Sequence, residues 1–397
     1  MREWQDCRIK DAVSLVSVKS EDLSLPYIAL DNIVSWDAKF IPSDSASDGN
    51  SNECVAGDIL FGKLRPYLAK AYIPTEKSIC SPEFLVMRSN NGTHNKFMLY
   101  YFLSKSFISH IRNQVAGTKM PRTKWSDLGS MSFSLPPIAE QEAIAAYLDK
   151  ECEKIGREID LLERKADAYS RLRRSLINRA VTRGINPNAS LKQSGLRWIT
   201  RIPEYWEIGR IRNYFNFRNE KVSEIDFAPL SVTKNGVVPQ MENVAKSMAE
   251  GETRKKVCKY DFVVNSRSDR KGSCGTSPLD GSVSLIYIVL EPKRIDPQFA
   301  DYYFRCNDWV EEFYRNGKGI VADLWTTNYS IMRNIEIALP PYQEQREIVA
   351  YLDEKCGKID AIIEKIATKI ERLKELKRSL INEVVTGKRA ITTCNHE

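Results

Sequence analysis

A phosphate-binding loop is the catalytic motif that the sequence suggests most directly, between Gly57 and Leu64. The residues Gly-Asp-Ile-Leu-Phe-Gly-Lys-Leu match the phosphate-loop pattern at every position except the last. At that position the pattern needs serine or threonine to hold magnesium, and leucine cannot do so. Bulky residues at 59–61 would also keep the backbone amides away from a phosphate. We therefore interpret the segment as a strand followed by a tight turn. An NTPase remains the less favoured, enzymatic alternative.

Other catalytic chemistry has little support. The chain has three histidines, at positions 94, 110 and 396, and none lies within a triad or metal-binding motif. Its nine cysteines are scattered without a Cys-x-x-Cys pair, so metal and disulfide frameworks are not expected. The sequence contains neither an Asn-Pro-Pro-aromatic tetrad nor a glycine-rich fingerprint after a strand, so a self-contained methyltransferase is not supported. We expect a non-catalytic protein that holds no metal and no cofactor.

Basic residues interleaved with aromatic and small ones indicate nucleic-acid binding instead. They form one cluster in each half of the chain. The first comprises Lys63, Arg65, Tyr67, Lys119 and Arg122, and the second Arg254, Lys256, Arg267, Arg270, Lys271 and Lys318. Arginine and lysine are the usual contacts to base edges and phosphates of duplex DNA. For any one of these residues a solvated surface position is the more common explanation. Clusters at matching places in two halves favour DNA.

The elements that must position these clusters include a repeated helix. Residues 135–184 return as 339–388 at a constant offset of 204, without insertion or deletion. In both copies apolar residues alternate in steps of four and three, which predicts a long helix that packs against a partner helix. Two prolines force an extended segment before each helix, and Gly184 and Gly387 end the helices. Two copies in one chain favour an intramolecular pair over a homodimeric coiled coil.

The blocks before the two helices are predicted to share a scaffold. In the first block, short apolar runs bounded by turn formers predict strands at 27–30, 58–61 and 84–87, and residues 97–111 read as a helix. The second block repeats the spacing of Trp4 and Arg8 in Trp206 and Arg210, while its centre differs. A kept scaffold with a diverged centre is expected of two modules that read different targets.

Composition is that of a folded protein without a membrane segment. The chain has 397 residues, 42% hydrophobic residues and a net charge of +7. A polyanionic partner is compatible with this modest positive charge. No run approaches 18 uncharged apolar residues, and the first residues have no apolar signal-peptide core. We expect a cytoplasmic protein.

Together these residues resemble the specificity subunit of type I restriction-modification systems over nearly the full chain. The twin Leu-Pro-Pro-x-x-Glu-Gln…Tyr-Leu-Asp helices carry the resemblance, with the linker at 194–206 and the segment at 57–68, which looks like a target-recognition segment of that family. The first block departs from the pattern, because it begins at Trp4 without a counterpart of the linker.

The resemblance implies an α+β fold in which two pseudo-symmetric, mixed α/β target-recognition domains are separated by two long antiparallel helices that form a coiled coil. The expected boundaries are 1–137 and 185–341 for the recognition domains, 138–184 for the central spacer helix, 342–388 for the C-terminal spacer helix and 389–397 for a tail.

The resemblance also implies what the protein does. Each domain would read one half of a bipartite, asymmetric site on double-stranded DNA. The helices would carry methyltransferase subunits, two being expected, and a restriction subunit with endonuclease and translocase activity would join them. The residues expected to contact subunits are those of the twin motif: Glu140, Gln141, Tyr147, Glu344, Gln345 and Tyr351. The alternative is a stand-alone nucleic-acid-binding adaptor with an internal coiled coil.

Overall fold

The computed structural model describes residues 4–45, 47, 49–114, 120–240, 253–319 and 325–391. It forms two compact units, one of residues 1–163 and 366–397 and the other of residues 164–365. Two long helices, α5 (Ile138–Arg183) and α10 (Tyr342–Val385), each contribute residues to both units. The predicted alternation of mixed blocks and long helices is therefore confirmed.

The first unit contains three small sheets and short helices. A four-stranded antiparallel sheet has the order β2-β8-β5-β6, a three-stranded sheet the order β3-β7-β4, and β1 pairs with β9. The elements are β1 (Gln5–Arg8), α1 (Ile9–Ala12), β2 (Val13–Val16), β3 (Tyr27–Ile28), β4 (Asn52–Cys54), β5 (Ile59–Gly62), β6 (Ala71–Tyr72), β7 (Ser78–Cys80), β8 (Phe84–Ser89), α2 (Asn95–Phe102), α3 (Lys105–Gln114), α4 (Trp125–Ser130) and β9 (Ser132–Leu135). The central strand β5 is buried along its whole length.

The second unit repeats this scheme and adds two hairpins. Its four-stranded antiparallel sheet has the order β13-β21-β18-β19 and its three-stranded sheet the order β14-β17-β20, while β12 pairs with β22, β10 with β11 and β15 with β16. The elements are β10 (Leu191–Gln193), β11 (Arg201–Pro203), β12 (Glu207–Arg210), α6 (Ile211–Tyr214), β13 (Phe215–Arg218), β14 (Lys221–Val222), β15 (Leu230–Thr233), β16 (Gly236–Pro239), β17 (Arg254–Val257), β18 (Phe262–Asn265), β19 (Cys274–Thr276), β20 (Gly281–Ser284), β21 (Tyr287–Pro292), α7 (Pro297–Arg305), α8 (Asn307–Arg315), α9 (Tyr329–Met332) and β22 (Glu336–Leu339).

One local prediction is wrong. Residues 97–111 form two helices, α2 and α3, because the chain breaks at Leu103 and Ser104. The Ser104 hydroxyl accepts a hydrogen bond from the Phe107 N–H at 3.2 Å and so caps the second helix. Apolar periodicity continues across the break, since both helices face the same core. The pattern alone therefore could not reveal it.

The heptad seams of α5 and α10 are buried in part, and two seam residues, Leu172 and Leu376, are exposed. In each unit the start of one helix lies beside the end of the other, so the two run antiparallel. Lys369 Nζ lies 2.7 Å from Glu158 Oε1 in the first unit, and Arg173 Nε lies 2.9 Å from Asp360 Oδ1 in the second. The buried seam residues are Leu148, Cys152, Ile155, Leu380 and Val384 in the first unit and Ala180, Val181, Ile348, Leu352 and Cys356 in the second. Each large aliphatic side chain buried there contributes about 1.5–3 kcal/mol to stability.

The glutamines of the repeated motif fasten each block to its helix. Gln141 is fully buried; its side chain accepts a hydrogen bond from the His94 N–H at 2.8 Å and donates to the carbonyl of Gly92 at 3.0 Å. Gln345 is 2% exposed, accepts from the Asp296 N–H at 2.8 Å and donates to a proline carbonyl at 3.0 Å. The twin glutamines thus fix the turns that precede α2 and α7, and their burial favours a structural role.

Replacing Gln345 by alanine is expected to lower the free energy of unfolding by about 2–4 kcal/mol, because each buried backbone group left without a partner costs about 1–3 kcal/mol. Urea denaturation of the full chain measures this loss. The matched control is Gln343→Ala, two residues away on the exposed face of α10, which should change the free energy by no more than about 0.5 kcal/mol. Equal losses in both variants would contradict the structural role of Gln345.

Candidate nucleic-acid interface

In each unit a buried aspartate directly precedes a central strand, β5 or β18. In the first unit Asp58 Oδ1 lies 2.8 Å from Arg88 Nε, and in the second Asp261 Oδ2 lies 2.6 Å from Arg218 Nε. Each carboxylate also accepts the backbone N–H three residues earlier, at 3.0 and 2.8 Å. The arginine comes from β8 in the first unit and from β13 in the second. This contact accounts for the Gly-Asp element of the phosphate-loop-like sequence, because the aspartate is a strand anchor.

Backbone hydrogen bonds join the loop after β5 to two neighbouring segments of the chain. The Lys63 N–H donates to the Glu83 carbonyl at 2.7 Å, and the Thr123 N–H donates to the Lys63 carbonyl at 3.1 Å. Leu64 forms an antiparallel bridge with Arg122. One turn of 3-10 helix, Pro66–Leu68, follows directly. The predicted strand and tight turn are thereby confirmed, and the loop has a fixed backbone.

This loop presents part of the first predicted cluster to solvent. Arg65 is exposed and has a left-handed backbone, with φ of 48°. Tyr67 is also exposed, and Lys63 is half-buried. Arg122 makes two hydrogen bonds of 3.0 Å with the carboxylate of Glu83. Lys119, the remaining predicted residue, lies outside the described residues.

The second unit builds the same loop after β18. The Thr327 N–H donates to the Ser266 carbonyl at 3.0 Å, and Arg267 forms an antiparallel bridge with Thr326. One turn of 3-10 helix, Ser268–Arg270, follows. Thr326 also pairs with Lys318: the Lys318 N–H donates to the Thr326 carbonyl at 3.2 Å, and the Thr326 N–H donates to the Lys318 carbonyl at 3.0 Å. The backbone pattern matches that of the first unit, although the side chains differ.

Arginines converge at this second loop. Arg267 and Arg270 are exposed and share Asp269, whose carboxylate oxygens lie 3.3 and 3.8 Å from their Nε atoms. Burial raises the pKa of Tyr287, while the charges of Arg270, Arg254 and Arg267 oppose that rise. Tyr287 is the first residue of β21, and no motif in the sequence marked it.

Three other residues of the second cluster are held within their own unit. The Arg254 side chain donates to Ser282, to its hydroxyl at 2.8 Å and its carbonyl at 3.0 Å, and burial lowers the pKa of this arginine. Lys256 Nζ lies 3.0 Å from Glu220. Lys271 Nζ lies 2.7 Å from a carboxylate oxygen of Glu311. These contacts hold the three cations within the unit. Arg267 and Arg270 share Asp269 over longer distances, and their side chains are more exposed, at 50% and 70% against 25% for Lys256 and 44% for Lys271.

The glutamates of the repeated motif also bind their own units. Trp4 Nε1 donates to Glu140 at 3.0 Å, and Trp206 Nε1 donates to Glu344 at 3.3 Å. Burial raises the pKa of Glu344, and the hydrogen bonds from Tyr205 and Trp206 oppose the rise. The motif tyrosines, Tyr147 and Tyr351, are half-buried against the cores. In each copy of the motif, the glutamate and the tyrosine thus stabilise the junction between the mixed block and its helix.

No three His, Cys, Asp or Glu side chains within the described ranges are grouped so that they could hold a metal ion. None of the described helices is long and apolar enough to cross a membrane.

Residues 27–163 match the family model of the type I restriction modification DNA specificity domain. This segment of the chain is similar to a type I specificity domain. The matched range covers the first-unit loop and the start of α5. Sequence recognition of DNA is the function of this family, and the predicted resemblance to specificity subunits is confirmed.

One curated relative extends the similarity to nearly the whole chain, and another covers about a third of it. The MjaVIII specificity subunit of Methanocaldococcus jannaschii is 21% identical over 99% of this chain and 94% of its own length. The EcoDI specificity subunit of Escherichia coli is 26% identical over 37% of this chain and 34% of its own length.

Solved structures share the fold of this chain. A chain from a study of complex assembly and conformational transition of the type I restriction-modification system superposes with a TM-score of 0.73 at 18% identity, covering 97% of this chain and 98% of that one. The HsdS subunit from Thermoanaerobacter tengcongensis gives a TM-score of 0.53 at 19% identity, covering 97% of each chain. The predicted α+β architecture is confirmed by this likeness.

Proposed function

We propose that this chain reads a bipartite, asymmetric DNA site and carries the catalytic subunits of a type I restriction-modification complex. Each unit supplies one half-site reader, centred on the loop after β5 or after β18. The chain itself is non-catalytic. Residues 1–137 and 185–341 act as the recognition domains, joined by spacer helices at 138–184 and 342–388; of the tail at 389–397, residues 389–391 are described.

The repeated loop is the observation that carries this proposal. Both loops have a bridge to the segment before the next helix and a following 3-10 turn, which begins two residues after the bridge in the first unit and directly after it in the second. At the matching bridge positions the first unit has Leu64 and the second Arg267. A shared frame with different exposed side chains gives two readers with different base preferences, because base-edge contacts depend on the side chain. The full site is therefore asymmetric.

The resemblance to type I specificity subunits supports the partners. Double-stranded DNA is bound by both loops. Two methyltransferase subunits bind, one for each copy of the block-to-helix junction, and a restriction subunit joins the complex. Because the motif glutamines are buried, the contact surfaces on α5 and α10 are formed by their exposed neighbours, with Glu140, Glu344, Tyr147 and Tyr351 at the edges.

Coexpression with the modification subunits of a type I system from the same host tests the proposal. The purified complex is expected to transfer methyl groups from S-adenosylmethionine to adenines within a single asymmetric sequence, and the chain alone to transfer none. A chain that binds DNA specifically but does not copurify with the modification subunits would support the stand-alone adaptor instead. Methyl transfer by the chain alone would contradict a non-catalytic role.

A further inference from the structure

Two adjacent apolar side chains lie exposed beside the second loop. Leu285 and Ile286 form the turn between β20 and β21 and are 43% and 45% exposed. The turn passes from the three-stranded sheet, which contains β20, to the four-stranded sheet, which contains β21. The short connection thus holds both side chains at the edge where the two sheets meet.

This turn is fixed next to the exposed arginines. The Ser266 hydroxyl donates to the Ile286 carbonyl at 2.9 Å, and Asn265 pairs with Tyr287 in the β18–β21 register. Ser266 directly precedes Arg267 in the chain. Tyr287 directly follows Ile286, and the charges of Arg267 and Arg270 oppose the rise in the pKa of its hydroxyl. The apolar turn and the two cations therefore belong to one surface.

The first unit has a polar side chain at the matching place. Its connection from β7 to β8 is Ser81–Glu83, and the Glu83 carbonyl accepts from the Lys63 N–H at 2.7 Å, much as the Ile286 carbonyl accepts from Ser266. The Glu83 carboxylate makes two hydrogen bonds to Arg122. The same turn is thus polar and charge-paired in one unit and apolar in the other.

We propose that Leu285 and Ile286 read the C5-methyl group of thymine in the second half-site. This inference rests on the proposed function. Arginine side chains recognise base edges chiefly in the major groove, so the apolar turn beside them enters the same groove. The apolar group that a base pair presents there is the methyl group of thymine, and the minor groove presents none. A branched aliphatic side chain fits that methyl group.

The experiment compares thymine with deoxyuridine, which lacks only the methyl group. The complex of the full chain with its modification subunits is titrated with duplexes in which every thymine of the second half-site is replaced. For the wild-type chain we expect binding to weaken about fourfold for each methyl group lost. The Leu285→Ala and Ile286→Ala double variant should bind the thymine duplex correspondingly less tightly and should lose the discrimination between thymine and deoxyuridine.

Replacement of thymines in the first half-site is the control, and its effect should be identical in wild type and variant. Arg267→Ala should weaken binding yet keep the deoxyuridine effect. The inference is overturned if deoxyuridine changes nothing while the second half-site sequence is still required, and this outcome leaves the proposed function intact. It is also overturned if the alanine variant weakens both duplexes equally, as an apolar wedge between base steps would, or if the second half-site consists of G·C pairs alone.

Discussion

Replacing Asp261 by alanine is expected to lower the free energy of unfolding of the second unit by about 3–5 kcal/mol, the cost of breaking a buried ion pair by removing one partner. Asp261 is 2% exposed, and its arginine partner, Arg218, has a side chain only 19% exposed. Burial raises the pKa of Asp261, while the hydrogen bonds from Arg218 and the Cys258 N–H oppose the rise. Without the carboxylate, the Cys258 N–H loses its partner, and the poorly solvated guanidinium of Arg218 is left with the half-exposed carboxylate of Glu291, 3.2 Å from its Nη2.

The equivalent change in the first unit should cost less, although Asp58 is equally buried. The side chain of its partner, Arg88, is 53% exposed, so water can solvate the guanidinium after the carboxylate is removed. We expect a loss of about 1–3 kcal/mol for Asp58→Ala, mainly from the unmade hydrogen bonds. Urea denaturation followed by far-UV circular dichroism measures both variants.

The matched control is Glu220→Ala, which removes a carboxylate from an exposed pair with Lys256 and should cost at most about 1 kcal/mol. A loss for Asp261→Ala no larger than that of the control would show that the buried pair does not anchor β18.

The long helices could be predicted because their signal is periodic and local. An apolar seam with steps of four and three requires a partner helix, and the repeat at a constant offset of 204 residues predicted one within the chain. The role of the glutamines in the repeated motif was harder to predict from the sequence. Gln141 and Gln345 are polar residues in a strong motif, which suggested contact with another subunit. Their burial depends on where the turns before α2 and α7 fold back, and no pattern within the helix shows this.

The candidate site was predictable in location but not in detail. The loop after β5 could be identified from its glycines and basic residues, and its partner after β18 from the second cluster. Sequence alone could not separate Arg267, which is exposed, from Arg254, which is held by Ser282. The apolar turn at Leu285 was missed, because its place beside the arginines depends on strands that are distant in sequence.

Replacing Arg267 and Arg270 together by alanine is expected to relax recognition of the second half-site and leave the first intact. A contact between a side chain and a base edge is worth about 1–3 kcal/mol, so the two changes together weaken specific binding by roughly 30-fold or more. The reciprocal double variant, Lys63→Ala with Arg65→Ala, should relax the first half-site alone. Lys271→Ala is the matched control, since Lys271 Nζ lies 2.7 Å from Glu311, whereas Arg267 and Arg270 lie 3.3 and 3.8 Å from Asp269.

Genome-wide mapping of methylated adenines tests the central claim, that each unit reads its own half-site, most directly. Cells carry the modification subunits with the wild-type chain or with one of the two double variants. We predict one bipartite sequence for the wild type, loss of base preference confined to the second half for the Arg267 and Arg270 variant, and confined to the first half for the Lys63 and Arg65 variant. If methylation instead fell uniformly at all sites, with both half-sites unchanged in either variant, these residues would be phosphate contacts and the two loops would not be the readers.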